Sequence, residues 1–272
     1  MRKSDLLAFL STIQAAPRKS LSQNFLIDTG IIAKIVTLAD IHPGDAVLEI
    51  GPGAGAITEQ LLAKGAHVMA IEKDKLFAEH LKRFQTNDQR LQVVCTDFLE
   101  FPLDSLPKTS WKVVSNLPYQ ITAPILGILC ENGHRFTSAT LVVQKEVEER
   151  IIAKPKTKTM SALSIFVQFY TEFVRSFPIS SNCFYPKPSV ESMALRLNFK
   201  HTLPPIDPTF FFPIVRKAFQ QRRKMLSSSL KVLHSALGDL LQTLGISSKA
   251  RPEELSLDDW IKLVGTIKQL HN

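Results

Sequence analysis

Cysteine is scarce in this chain of 272 residues: there are three, Cys95, Cys130 and Cys183, widely separated and odd in number. That count and spacing argue against a disulfide framework and against a cysteine-rich zinc site. Cys95 and Cys130 fall in apolar runs and are expected to be inert core residues. The seven histidines show no metal-ligand spacing, so no metal is expected. Also missing is any run of about 20 apolar residues that could span a bilayer. Arg2 and Lys3 precede a short apolar stretch, but Asp5 interrupts it. No cleavage signature follows, so no secretory leader is read. Internal repeats and low-complexity tracts are absent as well. A cytoplasmic protein with no membrane partner is the expectation.

What is present is ordinary globular composition, 44% hydrophobic and 21% charged, with length for one large domain and a smaller appendage. The net charge of +8 and the pI near 9.4 favour a polyanionic partner. The excess is uneven. Residues 1–199 carry 22 basic and 19 acidic side chains, residues 200–272 carry 11 and 6.

Short β-rich runs alternate with helical patterns through the first two thirds. Ala46–Ile50, His67–Ile71, Leu91–Cys95, Trp111–Ser115 and Ala139–Val143 read as strands, with helices over Ile57–Lys64 and Asp74–Phe84. That alternation predicts right-handed βαβ units and a parallel sheet. Leu163–Phe173 and Met193–Phe199 have no obvious helix between them and are expected as an antiparallel pair closing one edge. The proline-rich stretch His201–Pro208 reads as a linker. Beyond it Pro213–Leu230, Val232–Leu244 and Leu257–Leu270 show helical spacing of apolar residues. The expected fold is α/β, a Rossmann-like sheet over residues 1–200 with a small all-helical domain over 201–272.

Glu49-Ile-Gly51-Pro-Gly53-Ala-Gly55 follows the first strong strand and opens a helix. Glycines there permit a tight turn and let backbone N–H groups approach a ligand at the helix N-terminus. The same residues fit a dinucleotide pattern through Gly51, Gly53 and Ala56, so a nicotinamide cofactor stays open. Glu72 ends the second strand, 21 residues after Gly51. A carboxylate there can accept both hydroxyls of a ribose, whether of NAD or of S-adenosylmethionine. Asp97 ends the third strand and can accept from an adenine amino group, with Phe98 as an apolar wall.

The fourth strand ends in Asn116-Leu-Pro118-Tyr119. An Asn side-chain oxygen and the carbonyl of a φ-locked proline are two acceptors at fixed spacing. They can hold both N–H groups of an exocyclic amine while its lone pair is freed toward an electrophilic methyl. Tyr119 offers a face on which a base can stack. An ordinary X-Pro turn at a strand end is the plain alternative. Ligands of open parallel sheets bind at the carboxyl ends of strands, so four polar features at four successive strand ends face one crevice. A dehydrogenase would not need the acceptor pair.

On these residues the chain resembles the ribosomal RNA adenine N6,N6-dimethyltransferase family over nearly its whole length. Further pieces carry the likeness: Lys19-Ser-Leu-Ser-Gln-Asn-Phe-Leu26, Val143–Val147, Phe184–Val190, Ala218–Lys224 and Arg251–Ser256. The resemblance implies S-adenosylmethionine as methyl donor and an N-terminal lid over residues 1–30. It implies that Asn24 and Leu26 touch the cofactor from that lid. Gly51 would line its methionine end, Glu72 would hold the ribose and Asp97 the adenine amine. Asn116 would contact both the cofactor side and the target amine, Pro118 would supply its carbonyl, and Tyr119 and Phe184 would sandwich the target adenine. Two positions depart from the family pattern: Ser22 stands where Gly is usual, and Gln120 where Asn is common.

The implied substrate is a pair of adjacent adenosines in the 3′-terminal hairpin loop of small-subunit (16S) rRNA, met in the 30S subunit or its precursor by a monomeric enzyme. Loop bases can be splayed into a pocket, which suits this chemistry. Between Pro208 and Gly238 there are six basic residues and no acidic ones. Arg222, Arg223 and Lys224 in that stretch are expected on a helix, contacting phosphates. Lys154, Lys156 and Lys158 form a second basic stretch in a loop. Two other readings stay open, a large-subunit rRNA adenine N6-methylase with the same tetrapeptide and a catalytically silent ribosome-assembly factor.

Overall fold

The computed structural model describes residues 2–18, 23–85, 89–107, 110–231, 233 and 236–271. The strands in chain order are β1 (Phe25–Leu26), β2 (Ala46–Ile50), β3 (His67–Glu72), β4 (Leu91–Cys95), β5 (Trp111–Asn116), β6 (Phe136–Gln144), β7 (Thr171–Ile179), β8 (Phe184–Tyr185) and β9 (Ser192–Phe199). Seven form one sheet in the order β4-β3-β2-β5-β6-β9-β7, and β1 pairs with β8. Strands β2 to β6 run parallel, and β9 lies antiparallel to β6. Val47, Leu48 and Ile50 of β2 and Val68, Ala70 and Ile71 of β3 are all buried. Such continuous apolar runs are what strands covered on both faces require. From β2 the chain steps outward to β3 and β4, then returns to place β5 on the other flank of β2. That reversal opens a crevice at the carboxyl ends of the strands. At the sheet's edge, β4 leaves Cys95 exposed, which corrects the expectation of a core residue; Cys130 is buried.

The helices are α1 (Lys3–Thr12), α2 (Thr29–Ala39), α3 (Ala56–Ala63), α4 (Lys75–Leu81), α5 (Thr122–Glu131), α6 (Lys145–Ile151), α7 (Ala162–Tyr170), α8 (Pro208–Gln220), α9 (Leu226–Ser229), α10 (Leu237–Thr243) and α11 (Leu257–His271). Asp28 caps α2 by accepting from the Ile31 N–H at 2.9 Å, and Asp74 caps α4 through the Leu76 N–H at 3.1 Å. Ile32, Ile35, Val36 and Leu38 of α2 pack with Ile57 and Leu61 of α3 over Val47 and Val68 of the sheet. No helix among the described residues is long and apolar enough to cross a membrane.

Three expectations are corrected. The run Leu163–Phe173 is not a strand; its first part is α7, and the strand begins at Thr171. Ser161 starts α7 with reciprocal bonds to Ser164, and Phe169 packs its ring 5.4 Å from Phe211 and 5.1 Å from Phe212. Packing and a cap thus override the strand-like composition. The helix expected over Pro213–Leu230 begins earlier, at Pro208, where Asp207 accepts from the Thr209 N–H at 2.9 Å. It stops at Gln220, so Arg222, Arg223 and Lys224 lie in a turn before α9. Within the expected Val232–Leu244 helix, Val232, His234 and Ser235 lie outside the described residues, as do Lys19–Ser22 of the lid motif, including Ser22.

The chain divides into two compact units, Met1–Glu148 with Glu172–Lys200, and Glu149–Thr171 with His201–Asn272. The expected boundary at residue 200 therefore misses that Glu149–Thr171 belongs with the helical unit. The cause is the aromatic cluster of Phe166, Phe169 and Tyr170 with Phe211 and Phe212. Trp260, Leu263 and Val264 of α11 are fully buried in the same unit.

Candidate active site

Eight of the expected site residues in the first unit line one cavity at the sheet's carboxyl end: Asn24, Leu26, Gly51, Glu72, Asp97, Asn116, Pro118 and Tyr119. Each arrives by a local device. Gly51, Gly53 and Gly55 have φ of 63°, 55° and 81°, so the turn after β2 needs residues without a Cβ. A Cβ on Gly53 would lie 2.9 Å from the Phe25 ring, and one on Gly55 would lie 2.6 Å from Phe84. The turn hands the chain to α3, whose first residues Ala56 and Ile57 also face the cavity. Phe25 packs with Leu6, Phe9, Leu10, Ala54 and Phe77, which fastens the β1 side of the cavity to α1 and α4.

Glu72 is 6% exposed. One of its oxygens accepts from the Gly53 N–H at 2.9 Å and the other from the Asp74 N–H at 2.8 Å. Burial pushes its pKa up, and the two backbone donors work against that rise. Each oxygen keeps acceptor capacity beyond its backbone bond, which suits a vicinal diol. Asp97 is held differently. Lys73 Nζ sits 2.7 Å from Asp97 Oδ2, and Asp97 Oδ1 accepts from the Leu99 N–H at 3.0 Å. The Lys73 bond chiefly lowers its pKa, so Asp97 is an ionised acceptor at neutral pH.

Glu49 was given no role from the sequence, yet it lines the cavity and is 1% exposed. Its Oε2 accepts from Thr58 Oγ1 at 2.6 Å. Burial, aided by the charge of nearby Glu72, pushes its pKa up to about 8. Glu49 therefore holds its proton far more tightly than a solvated carboxyl does.

At the end of β5, Asn116 Nδ2 donates to the Asn24 carbonyl at 2.8 Å, leaving Oδ1 as the amide's acceptor. The Pro118 carbonyl is not free as expected. It accepts from the Ile121 N–H and from Thr122 Oγ1, both at 3.2 Å, which start α5. Leu117, whose N–H donates to the Val142 carbonyl at 3.1 Å, lines the same cavity. The Tyr119 hydroxyl pairs with Ser192 Oγ at 2.6 Å, and Ser192 of β9 is fully buried. Gln120 is exposed on the cavity's wall.

Phe184 departs from the expected sandwich. It is 3% exposed, pairs with Leu26 across β8 and β1, and packs in the core with Ile32 and Val142. It does not line the cavity, and it packs behind Leu26 of β1 instead. Arg222 departs too. Its Nη2 donates to the carbonyls of Lys158 at 2.6 Å and Thr157 at 3.4 Å, and its Nε lies 3.7 Å from Glu253 Oε2. Arg223 and Lys224 are exposed.

Residues 15–269 match the profile of a family described as ribosomal RNA adenine dimethylase. The chain belongs to the ribosomal RNA adenine dimethylase family. Among its relatives, the ribosomal RNA small subunit methyltransferase A of Protochlamydia amoebophila is 45% identical over 270 residues, covering 96% of this chain and 95% of that one. The protein of the same description from Chlamydia trachomatis is 41% identical over 274 residues, 97% of each chain. Among solved structures, a dimethyladenosine transferase from Plasmodium falciparum matches with a TM-score of 0.79 at 26% identity, over 90% of this chain and 98% of that one. The 23S rRNA methyltransferase ErmE matches with a TM-score of 0.68 at 25% identity, over 90% and 100%. This dimethylase thus catalyses S-adenosylmethionine-dependent dimethylation of adenine in ribosomal RNA. The nicotinamide alternative left by the glycine pattern is set aside. The dimethylase's cavity brings together a glycine turn at a helix start, the buried carboxylate of Glu72 and the ionised carboxylate of Asp97.

Proposed function

We propose that the dimethylase acts on two adjacent adenosines in the 3′-terminal hairpin loop of small-subunit (16S) rRNA. It meets them within the 30S subunit or its precursor, as a cytoplasmic monomer, and the modification accompanies subunit maturation. The observation that carries this reading is the 45% identity over nearly the full length of both chains to a small-subunit enzyme, against 25% to the large-subunit methyltransferase. An intact Asn116–Tyr119 tetrapeptide weighs against a silent assembly factor.

The first unit performs the chemistry. Asn24 and Leu26 contact the cofactor from the lid, Gly51 lines its methionine end, Glu72 accepts from its ribose hydroxyls and Asp97 from its adenine amine. Bound S-adenosylmethionine supplies an electrophilic methyl on sulfur. Asn116 Oδ1 accepts one N–H of the target amine. Because the Pro118 carbonyl is engaged by Ile121 and Thr122, the Leu117 carbonyl takes the second N–H. Tyr119 stacks on the base. After one methyl has been added, a single N–H remains, and either acceptor can hold it for the second transfer. The second unit binds RNA, with Arg223 and Lys224 on phosphates.

The reading is tested by incubating the enzyme and labelled S-adenosylmethionine with undermethylated small subunits and, separately, with large subunits. Label should enter small-subunit rRNA near its 3′ end as dimethyladenosine at two neighbouring positions. Label confined to large-subunit rRNA would overturn it.

A further inference from the structure

The loop carrying Lys154, Lys156 and Lys158 belongs to the helical unit and takes no part in the chemistry described above. All three lysines are exposed, and none pairs with a carboxylate among the described residues. From Arg150 to Thr171 the chain has no acidic residue. Counted with this segment, the helical unit holds 14 basic and 7 acidic side chains, nearly all of the chain's net charge of +8. A solvated surface ordinarily mixes signs.

The backbone beneath the lysines is fixed in place. The Lys156 N–H donates to the Glu253 carbonyl at 2.7 Å. Thr157 Oγ1 donates to the Lys154 carbonyl at 2.7 Å. Arg222 spans the carbonyls of Thr157 and Lys158. Lys156 is held at φ 68°, a left-handed conformation that residues other than glycine avoid, so its surroundings must impose it. Charge is distributed as unevenly as the bonds. The guanidinium of Arg222 is offset by Glu253 at 3.7 Å, whereas the three ammonium groups have no carboxylate counterpart among the described residues. A loop ordered in advance loses less freedom on binding, and its unpaired cations release counterions from a phosphate chain.

We infer that the Lys154–Lys158 loop is a phosphate-contacting element for the RNA substrate, and that Arg222 is its positioning residue rather than a phosphate ligand. Glu253, inside the Arg251–Ser256 motif, completes the clamp. The inference rests on the RNA substrate proposed above for its probe.

The test measures affinity of the full-length enzyme for undermethylated small ribosomal subunits across a range of salt concentrations. The triple variant Lys154→Gln, Lys156→Gln, Lys158→Gln should bind about tenfold or more weakly at low salt, with a slope of log affinity against log salt flattened by about two units. Its affinity for S-adenosylmethionine should be unchanged, which reports an intact fold. Arg222→Lys keeps the charge but loses the planar fork that spans two carbonyls. It should weaken subunit binding, and adding Arg222→Gln to the triple variant should leave the slope where the triple put it. An unchanged affinity and slope in the triple variant overturns the loop's role. Wild-type binding by Arg222→Lys, or a further loss of about one slope unit when Arg222→Gln is added, overturns the positioning role. Wild-type enzyme preferring large subunits would overturn the substrate reading alone, and the loop would then be tested on the RNA that the enzyme does methylate.

Discussion

Ser192 and Glu49 are single side chains at the site to which the sequence assigned no role. Ser192 lies 73 residues from Tyr119 and holds its hydroxyl at 2.6 Å. Losing one such bond removes about 1 kcal/mol, or roughly fivefold. Ser192→Ala should therefore raise the KM for RNA by about that factor while cofactor affinity stays constant. Tyr119→Phe removes the same bond, so the double variant should be no worse than either single one; additive losses would show that the two act independently. Glu49 gives a prediction in pH. Its carboxyl has an ordinary value of 4.5 and a folded value of about 8. The folded state thus binds the proton more tightly, and its contribution is fully present below about 4.5 and lost as pH rises through about 8. Relative to Glu49→Gln, the wild type should lose on the order of 3–5 kcal/mol of stability between about pH 5 and pH 9. Urea unfolding at several pH values checks it, and parallel curves for the two proteins would contradict it. The places of Glu72 and Asp97 on the cavity wall were legible because a strand end fixes them locally. Ser192 was not, since its partner is brought by the pairing of β9 with β6.

Among elements, the glycine turn is the least tolerant. Gly55 combines φ 81° with ring and aliphatic atoms of Phe84 and Leu81 within 2.8 Å of any added Cβ. Gly55→Ala should destabilise the fold by about 1–3 kcal/mol through left-handed strain and overpacking. An equilibrium urea titration with an unshifted midpoint would sink that expectation. The parallel strands and this turn could be read in advance because continuous apolar runs and glycine spacing are local signals. Elements that take their form from distant packing could not. The aromatic, β-branched run of α7 looks like a strand until Phe211 and Phe212 stack on it. Phe184 looks like a platform for a base, yet pairing with β1 turns it into the core behind Leu26. Both misreadings concern aromatics, whose burial rewards either role equally.

Across the whole molecule, chemistry and charge are separated. The cavity is built within the first unit, while the excess of positive charge belongs to the second. Reversing Arg223 and Lys224 to Glu should weaken subunit binding and flatten its salt dependence by about one unit per lost phosphate contact. Calorimetric affinity for S-adenosylmethionine should stay normal in that variant, and an unchanged salt slope would count against the assignment. The sequence placed the basic excess near the C-terminus but missed that Glu149–Thr171 joins it, because that segment is inserted ahead of β7 and β9 and only its packing reveals its allegiance. The converse separation is the sharper one. In the proposed mechanism Asn116→Ala removes an acceptor from the reacting amine, a loss that typically costs about 10²–10³ in rate. Single-turnover methyl transfer by this variant, measured on undermethylated small subunits that it binds as tightly as the wild type does, should fall by that factor. Transfer at the wild-type rate would mean that the target amine is held elsewhere.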